Sequence, residues 1–263
     1  MPGGKSNYKI TILGSGTSIG IPVPGCSCRV CKSKNKKDKR LRSSILIEYS
    51  YKERNYSVVI DTTPEFRLQA LAADIRHLDA VFWTHAHADH LHGIDDLRGL
   101  SRKRPVQGYA SGKTAKEIRT RFDYLWRHTQ RGGGKPRIDL HTVNPGEIIK
   151  IGNTDFVPVP LKHGKLDIFG WRFGPAAYIT DTNHIPGKSY RLLKDIKVLI
   201  IGALRFKEHS THLTVERALE EIKKIKPDTA YFTHISHEVS HKDLLKAVPA
   251  GVQPAYDNLV IKC

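Results

Sequence analysis

Short apolar runs of strand length punctuate the whole chain, at Tyr8–Leu13, Ile45–Tyr49, Val58–Ile60, Ala80–Trp83, Pro105–Ala110, Phe156–Leu161, Ala177–Ile179, Val198–Ala203, Thr229–Phe232 and Leu259–Ile261. Their length and their Val, Ile, Phe and Tyr content predict strands. Two stretches show helical spacing instead. Thr114–Arg127 carries Ile118, Phe122, Leu125 and Trp126 along one stripe, and Thr214–Lys226 carries Val215, Ala218, Leu219, Ile222 and Ile225. Thr214 is placed to cap the second, and Pro227 to stop it. No internal repeat is present, and the Gly132–Gly134 tract reads as a mobile loop rather than a domain boundary. Helices interspersed among many strands predict sheets covered by helices on their outer faces, in one domain over residues 1–263.

Composition narrows this picture modestly. At 263 residues with 39% hydrophobic content, the chain buries a sizeable core without staples. The N-terminus has no signal-like apolar stretch, and no run reaches the roughly 18 apolar residues of a membrane span. A soluble cytoplasmic protein without membrane contact is expected.

Lys and Arg number 43 against 26 Asp and Glu, a net charge of +17 that suits phosphate-bearing partners. Seven of the eleven residues from Lys32 to Arg42 are cationic; they read as a solvated loop ahead of a nucleic-acid patch. Three of the four cysteines fall in Cys26-Ser27-Cys28-Arg29-Val30-Cys31, and in a reducing compartment that clustering argues for metal ahead of disulfides.

Residues 84–90 read THAHADH, directly after Leu78-Asp79-Ala80-Val81-Phe82-Trp83. In extended backbone His85 and His87 point to one side, while Asp89 and His90 reach elsewhere once the chain turns toward Gly93. Imidazole and carboxylate are donors that Zn²⁺, Mn²⁺ or Fe²⁺ accept. Four of them in six residues exceed what one structural ion draws from a single segment, so a two-metal site is inferred. The competing reading is a helix carrying solvated histidines. Further donors stand where other apolar runs end: His163 after Val157–Leu161, Asp181 after Ala177–Thr180 and His234 after Ala230–Thr233.

Through His85-Ala86-His87-Ala88-Asp89-His90 the chain resembles the metallo-β-lactamase superfamily, whose hallmark is H-x-H-x-D-H. More narrowly it resembles the PhnP-type phosphodiesterases of the carbon–phosphorus lyase pathway. Leu13-Gly-Ser-Gly-Thr17, Gly25-Cys-Ser-Cys28 with Cys31, Leu161-Lys-His163, Thr180-Asp181 and Thr233-His-Ile-Ser-His237 fall in that family's order. The resemblance implies an α/β four-layer αββα sandwich with the site at one edge. It implies that His85, His87 and His163 hold one divalent ion, that Asp89, His90 and His234 hold a second, and that Asp181 bridges them. That arrangement leaves room for a bridging hydroxide, which would attack phosphorus in line. Asp61, in Ile60-Asp-Thr-Thr63, would orient a ligand imidazole or serve as a plain turn carboxylate.

The family pattern also supplies His237 to Cys26, Cys28 and Cys31, making a structural Zn²⁺ site in the loop at about 25–32, with Cys263 as the rival donor. His212 aligns with a histidine that the family uses near the phosphate. Titrating near neutrality, it would join Asp89 and Asp181 as a catalytic residue, and His209 is its rival. Arg42, Arg205 and Lys207 are either holders of a terminal phosphate or solvated charges, and His184 receives no role.

The primary functional expectation is hydrolysis of a small cyclic phosphodiester, 5-phosphoribosyl 1,2-cyclic phosphate or a related cyclic nucleotide, with two Mn²⁺ or Zn²⁺ ions. The alternatives are an endonuclease resembling those that process tRNA 3′ ends, and a zinc-stabilised nucleic-acid-binding protein. A homodimer is admitted.

Overall fold

Both faces of most strands are apolar, and the two sets of side chains go to different places. In β2 (Ser44–Tyr51), Ile45, Ile47 and Tyr49 enter one buried cluster, while Leu46 enters another. The same split occurs in β10 (Ala176–Ile179), where Ala176 and Tyr178 face one cluster, and Ala177 and Ile179 the other. Strands buried on both faces require layers on both sides, which is why they read as continuous runs rather than alternating ones.

The computed structural model describes residues 7–128 and 134–263, so Gly132 and Gly133 of the expected loop lie outside the described residues. Among the described residues the strands form two seven-stranded sheets. The first contains β1 (Lys9–Gly14), β2, β3 (Arg54–Ile60), β4 (Ala80–Phe82), β5 (Val106–Ser111) and β6 (Ile138–Val143), and the C-terminal β14 (Val260–Lys262) pairs beside β1. The second contains β7 (Ile149–Ile151), β8 (Thr154–His163), β9 (Leu166–Phe173), β10, β11 (Val198–Gly202), β12 (Thr229–Thr233) and β13 (Val252–Pro254). Between the sheets lies a core that includes Ile10, Ile47, Val58, Phe82, Phe156, Trp171, Tyr178 and Ile200.

Helices cover the outer faces. Phe66 of α1 (Phe66–Ala72) and Ala115 and Ile118 of α3 (Gly112–Arg121) pack with Leu46, Val59, Val81 and Trp83. Val215 and Ala218 of α4 (Val215–Ile225) and Leu244 of α5 (His241–Ala247) pack with Ile179, Leu199, Ile201 and Phe232. These layers make the αββα sandwich.

Strand direction sets where the site can be. β8 and β10 are each antiparallel to β9, and β10, β11 and β12 are mutually parallel, so β8, β10 and β12 all end at one edge of the second sheet. The end of β4 is tied to the same edge across the sandwich. Phe169 N–H donates to the Thr84 carbonyl at 3.0 Å, and the Trp171 indole donates to that of Trp83 at 3.3 Å.

Several elements differ from the pattern-based expectation. The helix expected over Thr114–Arg127 starts at Gly112, with the Ser111 hydroxyl accepting the Thr114 N–H at 3.2 Å, and stops at Arg121. Phe122 leaves helical backbone at φ −121°, ψ 38°, and Asp123–Leu125 form a single 3-10 turn. Aromatic residues at 122, 124 and 126 lose rotamer freedom in a helix, and Tyr124 instead donates its hydroxyl to Asp95 at 2.8 Å. The second helix begins after Thr214, which caps it as expected, and ends with Lys226 in the left-handed region.

The run from Lys32 to Arg42 is not uniformly solvated. Lys32, Lys34, Lys36 and Lys37 are exposed, but Arg40 is 2% exposed, because it donates to the Ser15 hydroxyl at 2.7 Å and to the Ala255 carbonyl at 2.6 Å. Burial lowers its pKa to about 10, against the pull of Asp257 and Asp38. No helix among the described residues is long and apolar enough to cross a membrane.

Candidate active site

β4 ends at Phe82, and the chain then runs through Thr84 and His85 to α2 (Ala88–Leu91), a one-turn helix carrying Asp89 and His90. The strand-end loop and the helical reading are thus each half right: His85 and His87 precede the helix, and Asp89 and His90 lie within it. Both helical donors and His85 are buried, whereas His87 is exposed at the rim, so only His87 among the motif's donors meets solvent.

The ring orientations follow from neighbouring donors and acceptors. Asp61 accepts the Thr84 N–H at 2.8 Å and the Thr84 hydroxyl at 2.9 Å, so that hydroxyl is left to accept from His85 Nδ1, also at 2.9 Å. His90 Nδ1 donates to Asp61 Oδ2 at 2.7 Å, and His163 Nδ1 donates to the Thr211 carbonyl at 2.9 Å. Each of the three rings therefore carries its proton on Nδ1 and turns the Nε2 lone pair inward.

Those lone pairs converge. The donor atoms of His85, His87 and His163 lie within 4.8 Å of one another, as do those of Asp89, His90, Asp181 and His234. Asp181 also groups with His163 and His212, so it faces both sets. His90 Nε2 is 3.1 Å from Asp89 Oδ2 and 3.3 Å from Asp181 Oδ1, and His234 Nε2 is 3.1 Å from Asp181 Oδ2. Buried polar groups normally find partners, yet among the described residues His85 Nε2, His90 Nε2 and both ring nitrogens of His234 have no hydrogen-bond partner. The donor set fits divalent ions: nitrogens and oxygens about 2.0–2.2 Å from an ion stand about 3 Å apart from each other.

The backbone is held in an unfavourable region at this edge. Asp61, Asp181 and His234 adopt φ of 67°, 53° and 55°, uncommon for side-chain-bearing residues and concentrated at functional sites in general. Electrostatics reinforce the grouping. Burial alone would depress the basicity of His90, but Asp181, Asp89 and Asp61 together raise its pKa well above the usual imidazole range, so the inward-facing Nε2 would give its lone pair to an ion only by exchanging a proton for it. Burial opposes ionisation of Asp181, yet His234 and His90 hold its carboxyl well below the ordinary value. His85 and His87 are pushed down, mainly by burial, and stay neutral.

His212 stacks on His234 with ring centroids 4.9 Å apart and lies 4.8 Å from His163. It does not titrate near neutrality, because burial and then His234 lower its pKa to about 3. His209 lies 4.9 Å from His212 and is also lowered by burial. The two arginines expected as holders of a terminal phosphate or as solvated charges both make protein contacts. Arg42 is paired with Glu65 and donates to the Ser18 carbonyl, while Arg205 is paired with Glu238 and donates to the carbonyls of Lys207 and Glu208. Each guanidinium is thus partly engaged by protein groups. Lys207 is exposed, and His184 lies exposed on an isolated bridge to Lys162.

A second constellation joins residues more than 200 positions apart. The thiols of Cys26, Cys28 and Cys31 lie 3.4, 3.5 and 3.7 Å from His237 Nδ1. A tetrahedral zinc with Zn–S of about 2.3 Å and Zn–N of about 2.0 Å has an S···N edge of about 3.6 Å, so this spacing is that of a closed four-ligand site. The Cys31 N–H and then His237 lower the Cys28 thiol to about 6, whereas burial raises that of Cys31. Cys263 is not part of the group; its backbone pairs with Tyr8.

Thr84 and the Thr211 carbonyl were given no role by sequence reasoning. A threonine directly before the first histidine was the available signal for Thr84; the Thr211 carbonyl left none. A cleft of about 210 Å³ beside His85 and His87, walled by α3 and the start of β9, was likewise not anticipated.

Residues 56–235 match the family model described as a Beta-lactamase superfamily domain, more than half of the chain. A solved structure described as a new diphosphatase from the PhnP family is 40% identical, covers 98% of this chain and 97% of its own, and superposes with a TM-score of 0.89. The chain therefore belongs to the β-lactamase superfamily of metal-dependent hydrolases and, within it, to the PhnP family. An octanoyltransferase of Porphyromonas gingivalis (strain ATCC BAA-308 / W83) is 38% identical over 250 residues, 94% of this chain, but the chain spans only about half the length of that protein. The short form of human tRNase Z shares the fold at 16% identity, with 96% of this chain and 98% of that one covered and a TM-score of 0.67.

Proposed function

We propose that this chain is a dinuclear metal-dependent phosphodiesterase that hydrolyses a small cyclic phosphodiester, of the phosphoribosyl 1,2-cyclic phosphate or cyclic nucleotide class. The observation that carries this reading is Asp181, a buried carboxylate whose oxygens face His90 and His234 while it also groups with His163. One shared carboxylate between two donor sets is what a pair of adjacent ions requires. In this reading His85, His87 and His163 would hold one ion and Asp89, His90 and His234 the other, with Asp181 shared between the two sets.

Mn²⁺ or Zn²⁺, when bound there, would acidify water and polarise the phosphoryl oxygens. The chain's own residues do the rest. Thr84, Asp61 and the Thr211 carbonyl keep three imidazole lone pairs aimed inward. His212, neutral in the free protein, offers an N–H to a phosphoryl oxygen, and an arriving phosphate would raise its basicity toward proton donation to the leaving oxygen. Cys26, Cys28, Cys31 and His237 would hold a structural Zn²⁺, which would pin residues 26–31 to the segment supplying His234. The chain acts in this reading as one cytoplasmic domain, where the thiols stay reduced.

The 40%-identical relative, described as a diphosphatase, favours a second reading in which the bond cleaved is a phosphoanhydride. A panel of Mn²⁺-supplemented assays separates these possibilities. Rapid cleavage of bis(p-nitrophenyl) phosphate and cyclic diesters, with little action on nucleoside diphosphates, lactones, thioesters or precursor tRNA, is expected. Preference for diphosphates supports the second reading. Preference for precursor tRNA, or tight RNA binding without turnover, rejects both.

A further inference from the structure

Beyond the metal donors, the cleft beside His85 and His87 contains charged groups with very different commitments. Arg121 donates to Glu117 at 2.9 Å and to the Ala86 carbonyl at 2.5 Å, and Asp167 pairs with Lys162 at 2.6 Å. Lys113, exposed in the first turn of α3, forms neither an ion pair nor a hydrogen bond among the described residues. Among the described residues its ammonium is the one charge on the cleft wall left for a ligand. Ala86 and Leu166 line the same cleft, so an apolar or sugar surface can lie between that ammonium and the histidines.

The imidazoles stand in an order that gives a bound molecule two ends. His87, which lines the cleft, packs on His163 at 5.1 Å, and His163 packs in turn on His212 at 4.8 Å, so a row of rings leads from the cleft to His212. We infer that Lys113 is a specificity-determining residue, binding a second phosphate of the substrate in this cleft while the scissile phosphorus lies over the donor cluster and the leaving oxygen faces His212. This rests on the phosphoester reading proposed above. Lys113 stands apart from Arg42 and Arg205, whose guanidinium groups already pair with Glu65 and Glu238.

The test compares thymidine 3′,5′-bisphosphate with thymidine 5′-monophosphate, titrated calorimetrically into the Mn²⁺-loaded protein and into Lys113→Ala and Lys113→Arg. Wild type is expected to bind the bisphosphate about tenfold more tightly, with the preference lost in Lys113→Ala and restored in Lys113→Arg. Equal affinities in wild type, or a preference that survives Lys113→Ala, would overturn the assignment. A turnover arm uses p-nitrophenyl thymidine 5′-phosphate with and without a 3′-phosphate. Lys113→Ala should raise KM about tenfold for the phosphorylated diester only, leaving kcat within twofold. Equal loss on both diesters would mean Lys113 does not read the second phosphate. Because binding is measured separately, absence of turnover in wild type counts against the phosphodiesterase reading and leaves the Lys113 comparison intact.

Discussion

Asp61 Oδ2 lies 2.7 Å from His90 Nδ1, and the same carboxylate accepts both the N–H and the hydroxyl of Thr84. Through Thr84 it also fixes His85, so one buried side chain that reaches neither inward-facing nitrogen governs two imidazoles in different donor sets. Removing such a partner typically lowers metal affinity 10–100-fold.

Asp61→Asn is therefore expected to weaken metal binding by about that factor while retaining the fold, since asparagine tolerates the φ of 67° at this position. One oxygen would be exchanged for an amide facing donors, costing about 1–3 kcal/mol of stability. Metal titration and thermal melts of the same preparation check both; unchanged metal affinity would remove Asp61 from the orienting role.

Asp181→Ala should empty both catalytic positions together, because its oxygens face residues of each donor set. Elemental analysis is expected to fall from three ions per chain to the one held by Cys26, Cys28, Cys31 and His237. Activity should drop at least about a hundredfold. Loss of a single ion would show that the carboxylate serves only one of them.

Chelation should separate the two kinds of site. Ethylenediaminetetraacetate at neutral pH is expected to abolish activity, with Mn²⁺ restoring it, while the melting temperature moves little. Release of the thiolate-bound ion by a mercurial should lower the melting temperature sharply, because closed zinc sites contribute folding energy directly. Equal thermal effects from both reagents would contradict a structural role for the cysteine cluster.

In zinc-free protein the three clustered thiols should alkylate in a fixed order. Cys28, its thiol lowered to about 6 by the Cys31 N–H and His237, should react with iodoacetamide fastest at pH 7, and buried Cys31 slowest. The sign is set by the depressed value: the thiolate prevails above pH 6 and is lost as pH falls through it, so the Cys28 rate should drop about tenfold from pH 7 to pH 5. Zinc retention should weaken over the same descent. Peptide mass spectrometry of pH-stepped reactions reads the order, and a midpoint near 9 would remove the electrostatic argument.

The seven donor residues were legible in the sequence because each stands where an apolar run stops, and strand ends gather at sheet edges. Thr84 and the Thr211 carbonyl were not, because their work depends on which ring nitrogen is turned toward them. Among its charged neighbours Arg40 has the local pattern of a solvated residue; its partners Ser15 and Ala255 lie 25 and 215 positions away, and no local window contains them. β9 escaped notice for a related reason. Its LDIFGWRF pattern is interrupted by Gly170, where an added Cβ would lie 3.0 Å from the Tyr178 carbonyl, so the residue that breaks the apolar run is the one that allows the neighbouring strand to approach. The fate of Arg42 and Arg205 required side-chain geometry, since a cation near a site is free only if no carboxylate reaches it first.

The left-handed backbone at Asp61, Asp181 and His234 carries a lesson for anyone redesigning this chain. Judged by local conformational ease, glycine is the natural occupant of all three positions. A procedure rewarding relaxed torsions would install it there and return a comfortable scaffold stripped of its chemistry. At these corners the cost of conformational discomfort and the capacity to act are the same three choices, so an optimiser must exempt them before it begins.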